Sequence, residues 1–376
     1  MGKKIGLYIH IPFCKKKCLY CDFVSYENVE NSLVSEYFNS LQRELIFYKE
    51  NYDIEIETIY IGGGTPSAVD PKHIERLIEF IYSNFKVKEN CETTIEANPE
   101  SLNEEKLKIY KLLNINRLSI GVQSLNDTEL KVLGRIHTSK RALEILELAA
   151  RYFENFNVDL MIGLPYQNIE SFSRTLETVI SFGPPHVSVY SLKIEEGTYF
   201  YDAYESLKSY FPSEEEERGM YWLAVERLYD FGIYQYEISN FAKKNSECKH
   251  NLKYWDCEEY IGIGSSSHSF FEGYRYSNVS DIKEYINSIK NGYLAVDTKE
   301  YIDDEEMEKE YIILGLRKIE GIDLLKLERR FNIDFMKKYK TQIEKLKKYG
   351  LVEINSHFRL TKKGMDLANI VWQEFI

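Results

Sequence analysis

From residue 5 to about 195 the sequence alternates, at intervals near 30 residues, between short β-branched apolar runs and stretches of helical periodicity. No other feature constrains the fold as strongly. Runs at 5–11, 58–61, 93–96, 117–120, 158–162 and 187–191 read as strands. Helical patterns lie between them at 34–49, 71–83, 103–113, 127–150 (in one or two pieces) and 169–181. Strand–helix–strand repeats call for parallel strands joined by right-handed crossovers. Six such units predict an α/β fold, a partial (β/α)6 barrel with its working residues at the C-terminal strand ends. The expected organisation is a core over 1–235, a connecting segment over 236–300 and a smaller C-terminal domain over 301–376.

The loop after the first strand carries Cys14-Lys-Lys-Lys-Cys18-Leu-Tyr20-Cys21. Three thiolates so close in sequence bind a metal centre more readily than they pack a core. With His10 as a fourth ligand they would suit a structural zinc ion. Without one they would hold a four-iron four-sulfur (4Fe-4S) cluster with one iron left open, where a small molecule could bind and receive an electron. A cluster of free thiols with no metal is the plain alternative. The other cysteines, Cys91, Cys248 and Cys257, are scattered, which suggests a reducing cytoplasm rather than a disulfide framework.

Each later strand ends in polar chemistry. The second runs into Gly62-Gly63-Gly64-Thr65-Pro66, where glycines let backbone approach a ligand closely. No Gly-Lys-Ser/Thr follows, so it is not a phosphate-binding P-loop. The third ends in Glu96-Ala-Asn98-Pro-Glu100, the fourth in Gly121-Val-Gln123, with Arg135 just beyond, and the fifth contains Asp159. Singly, each reads as a loop cap or a solvated charge. Together they read as the mouth of a barrel lined for ligand binding.

The triple-cysteine loop with Tyr20 before its last thiol resembles the signature of the radical S-adenosylmethionine (SAM) superfamily. There the amino and carboxylate groups of SAM chelate the open iron, and an electron cleaves SAM to methionine and a 5′-deoxyadenosyl radical. The further motifs resemble the branch of oxygen-independent coproporphyrinogen oxidases. The resemblance implies that Cys14, Cys18 and Cys21 hold the 4Fe-4S cluster, and that Tyr8, Tyr20, Gly63, Gly64, Thr65 and Glu96 line the SAM site. It places Gln123, Arg135 and Asp159 on positions contacting SAM or ribose in a second site.

His250-Asn251-Leu-Lys-Tyr254-Trp255 is similar to the mark of one subgroup of that branch, the HemW-type heme chaperones. A lone histidine among aromatics is ordinarily structural, but the resemblance implies heme binding with His250 as the axial ligand. Two departures point away from the oxidase itself. Asp22-Phe23 follows Cys21 where the oxidase usually has a fourth cysteine, and only seven residues precede Tyr8, where the oxidase has a long extension. The implied ligands are therefore the cluster, SAM and heme, and the implied partners are heme-acceptor proteins and an electron donor for the cluster. A radical enzyme converting coproporphyrinogen III propionates to vinyls is the alternative, and a zinc-stabilised winged-helix regulator a remote one.

Helical patterns at 304–317, 322–331 and 334–348 precede a hairpin at 351–360, which predicts a winged-helix-like domain. Residues 321–376 hold 12 Lys and Arg against 7 Asp and Glu, too small an excess for a nucleic-acid site. The net charge of −12 also argues against nucleic acid as a partner. No run has the length of a membrane span and the N-terminus lacks the apolar stretch of a signal peptide, so a cytoplasmic location is expected, with peripheral membrane association left open.

Overall fold

The computed structural model describes residues 2–376. Strand β1 (Lys3–Ile11) leads to two short strands, β2 (Phe13–Cys14) and β3 (Tyr26–Glu27), which pair with each other and bracket the cysteine loop. Then come α1 (Asn31–Asn51), β4 (Ile54–Gly63), α2 (Pro71–Asn84), β5 (Lys86–Ala97) and α3 (Glu104–Leu112). The alternation continues through β6 (Arg117–Gln123), α4 (Asp127–Val132), α5 (Ser139–Tyr152), β7 (Phe156–Ile162), α6 (Ile169–Ser181) and β8 (His186–Ser191). All six expected strands are present, and the 127–150 pattern is two helices. Local chemistry starts the helices where the sequence signals it: Asp70 accepts from Lys72 N–H with proline following, and Asn168 forms a reciprocal capping box with Ser171.

Beyond β8 lie α7 (Tyr199–Leu207), α8 (Glu214–Asp230), β9 (Tyr234–Glu237), β10 (Asn240–Ala242) and α9 (Lys249–Trp255). They are followed by β11 (Tyr260–Ile263), β12 (His268–Phe271), β13 (Tyr274–Asn278), α10 (Ile282–Lys290) and β14 (Val296–Tyr301). The main sheet runs β14-β13-β12-β11-β1-β4-β5-β6-β7-β8-β10-β9. Strands β11, β1 and β4 to β8 are parallel; the rest extend the margins antiparallel.

The segment expected to be a connector is thus corrected. Residues 236–300 supply strands to both margins of the sheet, and β11 is a seventh parallel strand against β1. Its short Tyr-Ile-Gly-Ile run, followed by glycine and serines, reads as a loop by composition. Pairing with β1 and burial of Ile261 and Ile263 make it a strand.

The C-terminal part comprises α11 (Asp304–Gly315), β15 (Ile322–Asp323), α12 (Leu324–Phe331), α13 (Phe335–Lys338) and α14 (Lys340–Lys348). It ends with β16 (Val352–Ile354), β17 (His357–Leu360), α15 (Lys362–Asp366) and α16 (Ala368–Gln373). A small sheet in the order β15-β17-β16 backs the helices, the winged-helix-like plan expected, with its own core around Leu327, Phe335 and Phe358. The 334–348 pattern is broken at Tyr339 into two helices. This domain is fastened to the barrel by Arg317, whose guanidinium lies 4.3 Å over the Trp255 ring and 3.3 Å from buried Glu237. Arg330 adds bonds to the carbonyls of Asp256 and Cys257.

Candidate functional site

Strands β4, β5, β6 and β7 converge on a cavity of about 170 Å³ edged by Cys14, Cys18 and Cys21. The loop that carries the thiols is held on both sides. Leu19 N–H donates to the Leu133 carbonyl (3.0 Å) and its own carbonyl accepts from Phe200 N–H (3.3 Å). Leu19 and Tyr20 pack on the small apolar cluster of Leu133, Met161, Leu164 and Phe200.

Arg135 ties this loop to the barrel. Its Nη1 donates to Cys18 Sγ (3.4 Å), and its Nη2 donates to Asn98 Oδ1 (2.7 Å) and to the Gly121 carbonyl. Asn98 in turn donates to Thr65 Oγ1 (2.9 Å), which lies 3.4 Å from Cys14 Sγ. Burial pushes the Cys14 thiol up and Cys21 up to about 11, so loading a metal centre must release protons.

Gly63 and Gly64 are glycines for a visible reason. Gly63 has φ +111°, and a Cβ there would stand 2.7 Å from the His10 ring. One on Gly64 would stand 3.0 Å from Cys14 Sγ. Bare backbone therefore forms the cavity wall beside the thiols. Beside it Glu96 accepts from Tyr60 OH (2.7 Å) and from Gly63 N–H (3.2 Å). Burial and the nearby Asp159 carboxyl raise Glu96 to about 7. Asp159, also raised by burial, accepts from Ser119 and Asn157. Gln123 takes a left-handed backbone (φ +65°) and lines the same cavity.

Cys14, Cys18, Cys21, Tyr20, Gly63, Gly64, Thr65, Glu96, Gln123, Arg135 and Asp159 therefore all line one cavity. Tyr8 does not: its ring lies beside Tyr60 (6.2 Å) and its hydroxyl meets His10 Nδ1 (3.1 Å). His10 is not a fourth ligand either. Its ring is buried beneath Gly63, with Nε2 3.4 Å from the Val24 carbonyl, and burial lowers it to about 4. Among the described residues no three His, Cys, Asp or Glu side chains converge on a point where a single ion could sit. A ring of thiols around a cavity, backed by a guanidinium and bare backbone, fits a larger cluster.

His250 lies apart from the cavity. It is 1 % exposed, stacked 5.2 Å from Tyr60, with Nδ1 2.8 Å from Thr58 Oγ1 and Nε2 2.9 Å from Tyr254 OH. Both nitrogens are engaged, and burial holds the ring neutral, at about 3. Helix α9 is positioned by buried Glu92, which accepts from the Lys249 and His250 N–H groups. Of this motif it is Asn251 that reaches an adjoining cavity. Sequence reasoning missed Asn98, Ser119 and Arg117 as lining residues. A charge opening a strand run whose every residue but the last is buried was the signal for Arg117, and it shows only in the structure.

The parallel barrel and a thiol-edged cavity at its C-terminal mouth define a radical SAM protein, and the model of the radical SAM superfamily matches residues 8–179. The HemN C-terminal domain model matches residues 302–367. The chain is 37 % identical over 374 residues to the heme chaperone HemW of Bacillus subtilis, covering 98 % of each. It is 35 % identical over 384 residues to that of Lactococcus lactis, covering 100 % of this chain and 98 % of the relative. The chain belongs to the HemW family of the radical SAM superfamily. Its fold is that of coproporphyrinogen III oxidase (HemN) from Escherichia coli, a radical SAM enzyme, with TM-score 0.88 and 22 % identity over 100 % of this chain and 90 % of that one.

Proposed function

We propose that the chain is a heme chaperone, binding heme and passing it to acceptor proteins while retaining a 4Fe-4S cluster and a SAM site. The observation that carries this reading is similarity along 98 % of both chains to a relative named for that activity. The family implies the cluster and SAM; when bound, they supply one-electron chemistry at the barrel mouth. This chain's residues do the holding. Cys14, Cys18 and Cys21 provide thiolates, and Arg135 fixes the loop by its bond to Cys18. The backbone of Gly63 and Gly64 and the Glu96 carboxyl offer hydrogen-bonding partners for amino and hydroxyl groups. Gln123 and Asp159 extend that polar wall inward. An electron donor and a heme acceptor are the protein partners. Among the described residues no helix is long and apolar enough to cross a membrane, and a cytoplasmic location is part of this reading.

Ligation of heme iron by His250 comes with a condition set by its surroundings. The Tyr254 hydroxyl must first release Nε2, and the neutral ring is the form that ligates. Tyr254→Phe should then bind heme as tightly as wild type or more tightly, whereas His250→Ala should lose most binding with iron–sulfur absorbance unchanged. Equal heme binding by wild type and His250→Ala would remove His250 from the site. The fold shared with HemN keeps the oxidase as a second reading. Heme titration and a coproporphyrinogen III assay with SAM and reductant, on one anaerobic preparation, separate the two. Stoichiometric heme with no protoporphyrinogen formed supports the chaperone; turnover without heme binding overturns it.

A further inference from the structure

Inward from the thiols the barrel holds a second chamber, of roughly 410 Å³. It shares Tyr20, Phe23, Glu96, Gln123 and Asp159 with the first cavity, so the two adjoin. Arg117, at the start of β6, is the one cationic side chain lining it among the described residues. That residue is 2 % exposed, and its Nε is enclosed without a hydrogen-bond partner. Glu92 acts on it only through space, its oxygens being taken by the first N–H groups of α9. The chamber's own carboxyls are engaged elsewhere, Glu96 by Tyr60 and Gly63, Asp159 by Asn157 and Ser119. A second lining residue, Asn240, has its buried Oδ1 unpartnered.

A buried guanidinium is costly unless an anion meets it, and its planar fork matches a carboxylate better than any other biological anion except phosphate. The two carboxyls already on the wall disfavour the higher charge of phosphate. Met161, Tyr190 and Phe23 add apolar surface to the same wall. We infer that this inner chamber binds a small molecule with an apolar body and a carboxylate, and that Arg117 holds the carboxylate. Two sources fit that chemistry: a propionate arm of heme, which rests on the function proposed above, or the amino-acid carboxylate of a SAM molecule, which does not.

The test uses the full-length protein, titrated with its cluster in place against heme and heme dimethyl ester and, in a Cys14→Ala background with no cluster iron to chelate an amino-acid carboxylate, against SAM and decarboxylated SAM. In one of the two pairs, the protein with Arg117 intact should prefer the acid over its carboxylate-free partner by tenfold or more. Arg117→Gln should abolish that preference while binding the carboxylate-free partner within twofold of wild type, and Arg117→Lys should keep part of it. Asn251→Trp, which fills the chamber from α9 without touching the guanidinium, should weaken the same acid tenfold, and it decides the matter if Arg117→Gln does not fold. A preference that survives in folded Arg117→Gln, an unweakened Asn251→Trp, or no preference in either pair overturns the inference. Wild type that binds neither form of heme removes the heme reading alone, because the SAM pair still reports on Arg117.

Discussion

Gly63 shows how one residue type serves two demands. Its φ of +111° is one that side chains rarely take, and the His10 ring occupies the space a Cβ would need. Gly63→Val should therefore displace the cavity wall, lowering SAM affinity by roughly tenfold or more, about 1.4 kcal/mol, while iron content stays at the wild-type level. Equilibrium dialysis with labelled SAM and iron analysis on one sample check both halves. Glu44 makes a different prediction. It is buried, accepts from Tyr285 OH, Gly264 N–H and Asn278, and burial raises it to about 7 from 4.5. Between those values the folded state keeps a proton that the unfolded chain has released, so stability falls as pH rises through that window. The drop is on the order of 3 kcal/mol. Glu96 contributes with the same sign. Denaturant unfolding of the cluster-free protein should show the decline, and Glu44→Gln should flatten it without removing it. At this scale the cavity residues were legible because ligand chemistry left polar residues at apolar strand ends. Less legible was depth: alternation tells which face of β1 Tyr8 takes but not how far from the cavity its side chain stops, and the His250 motif gave no sign that both ring nitrogens would be engaged by Thr58 and Tyr254.

Among the elements, the cysteine loop depends on neighbours remote in sequence, bonded to Leu133 and Phe200 and gripped by Arg135. Cys14→Ala, Cys18→Ala or Cys21→Ala should abolish iron–sulfur absorbance after anaerobic reconstitution. Cys91→Ala, Cys248→Ala and Cys257→Ala, at buried thiols that do not line the first cavity, should leave it intact. Loss of absorbance in the second group alone would place the cluster elsewhere. Strand centres were legible from their β-branched runs, but their extents were not. β4 begins at Ile54, not 58, because Glu55 and Glu57 on its outer end pair with Lys86, Lys88 and Lys253, a cross-strand charge pattern that hydropathy does not register. Likewise β11 escaped because a short strand next to glycine and serine carries no periodic signal, and its partner lies far off in sequence.

For the whole molecule, the expected core of 1–235 and the sheet actually formed differ in one respect that can be tested. β1 is an interior strand, with β4 along one side and β11 along the other. A fragment ending at 235 would leave the apolar edge of β1 bare, and bare edges recruit other chains. It should aggregate, whereas a fragment ending at 301, with every strand of the main sheet, should unfold cooperatively, though at lower denaturant than the full chain because Arg317 no longer covers Trp255. Near-ultraviolet circular dichroism and sedimentation check this; a soluble, cooperatively unfolding 1–235 would show that β1 needs only one neighbour. The same arrangement sets a timetable for the newborn protein. Residues 6–9 wait for residues 260–263, which at about 5–20 residues per second is a delay on the order of tens of seconds. The cysteine loop waits less long, since Leu133, Arg135 and Phe200, the partners that grip it, all precede β11. The thiols can therefore be gripped while β1 still lacks one neighbour, and until Phe200 has emerged the cell must keep an oxidisable loop reduced.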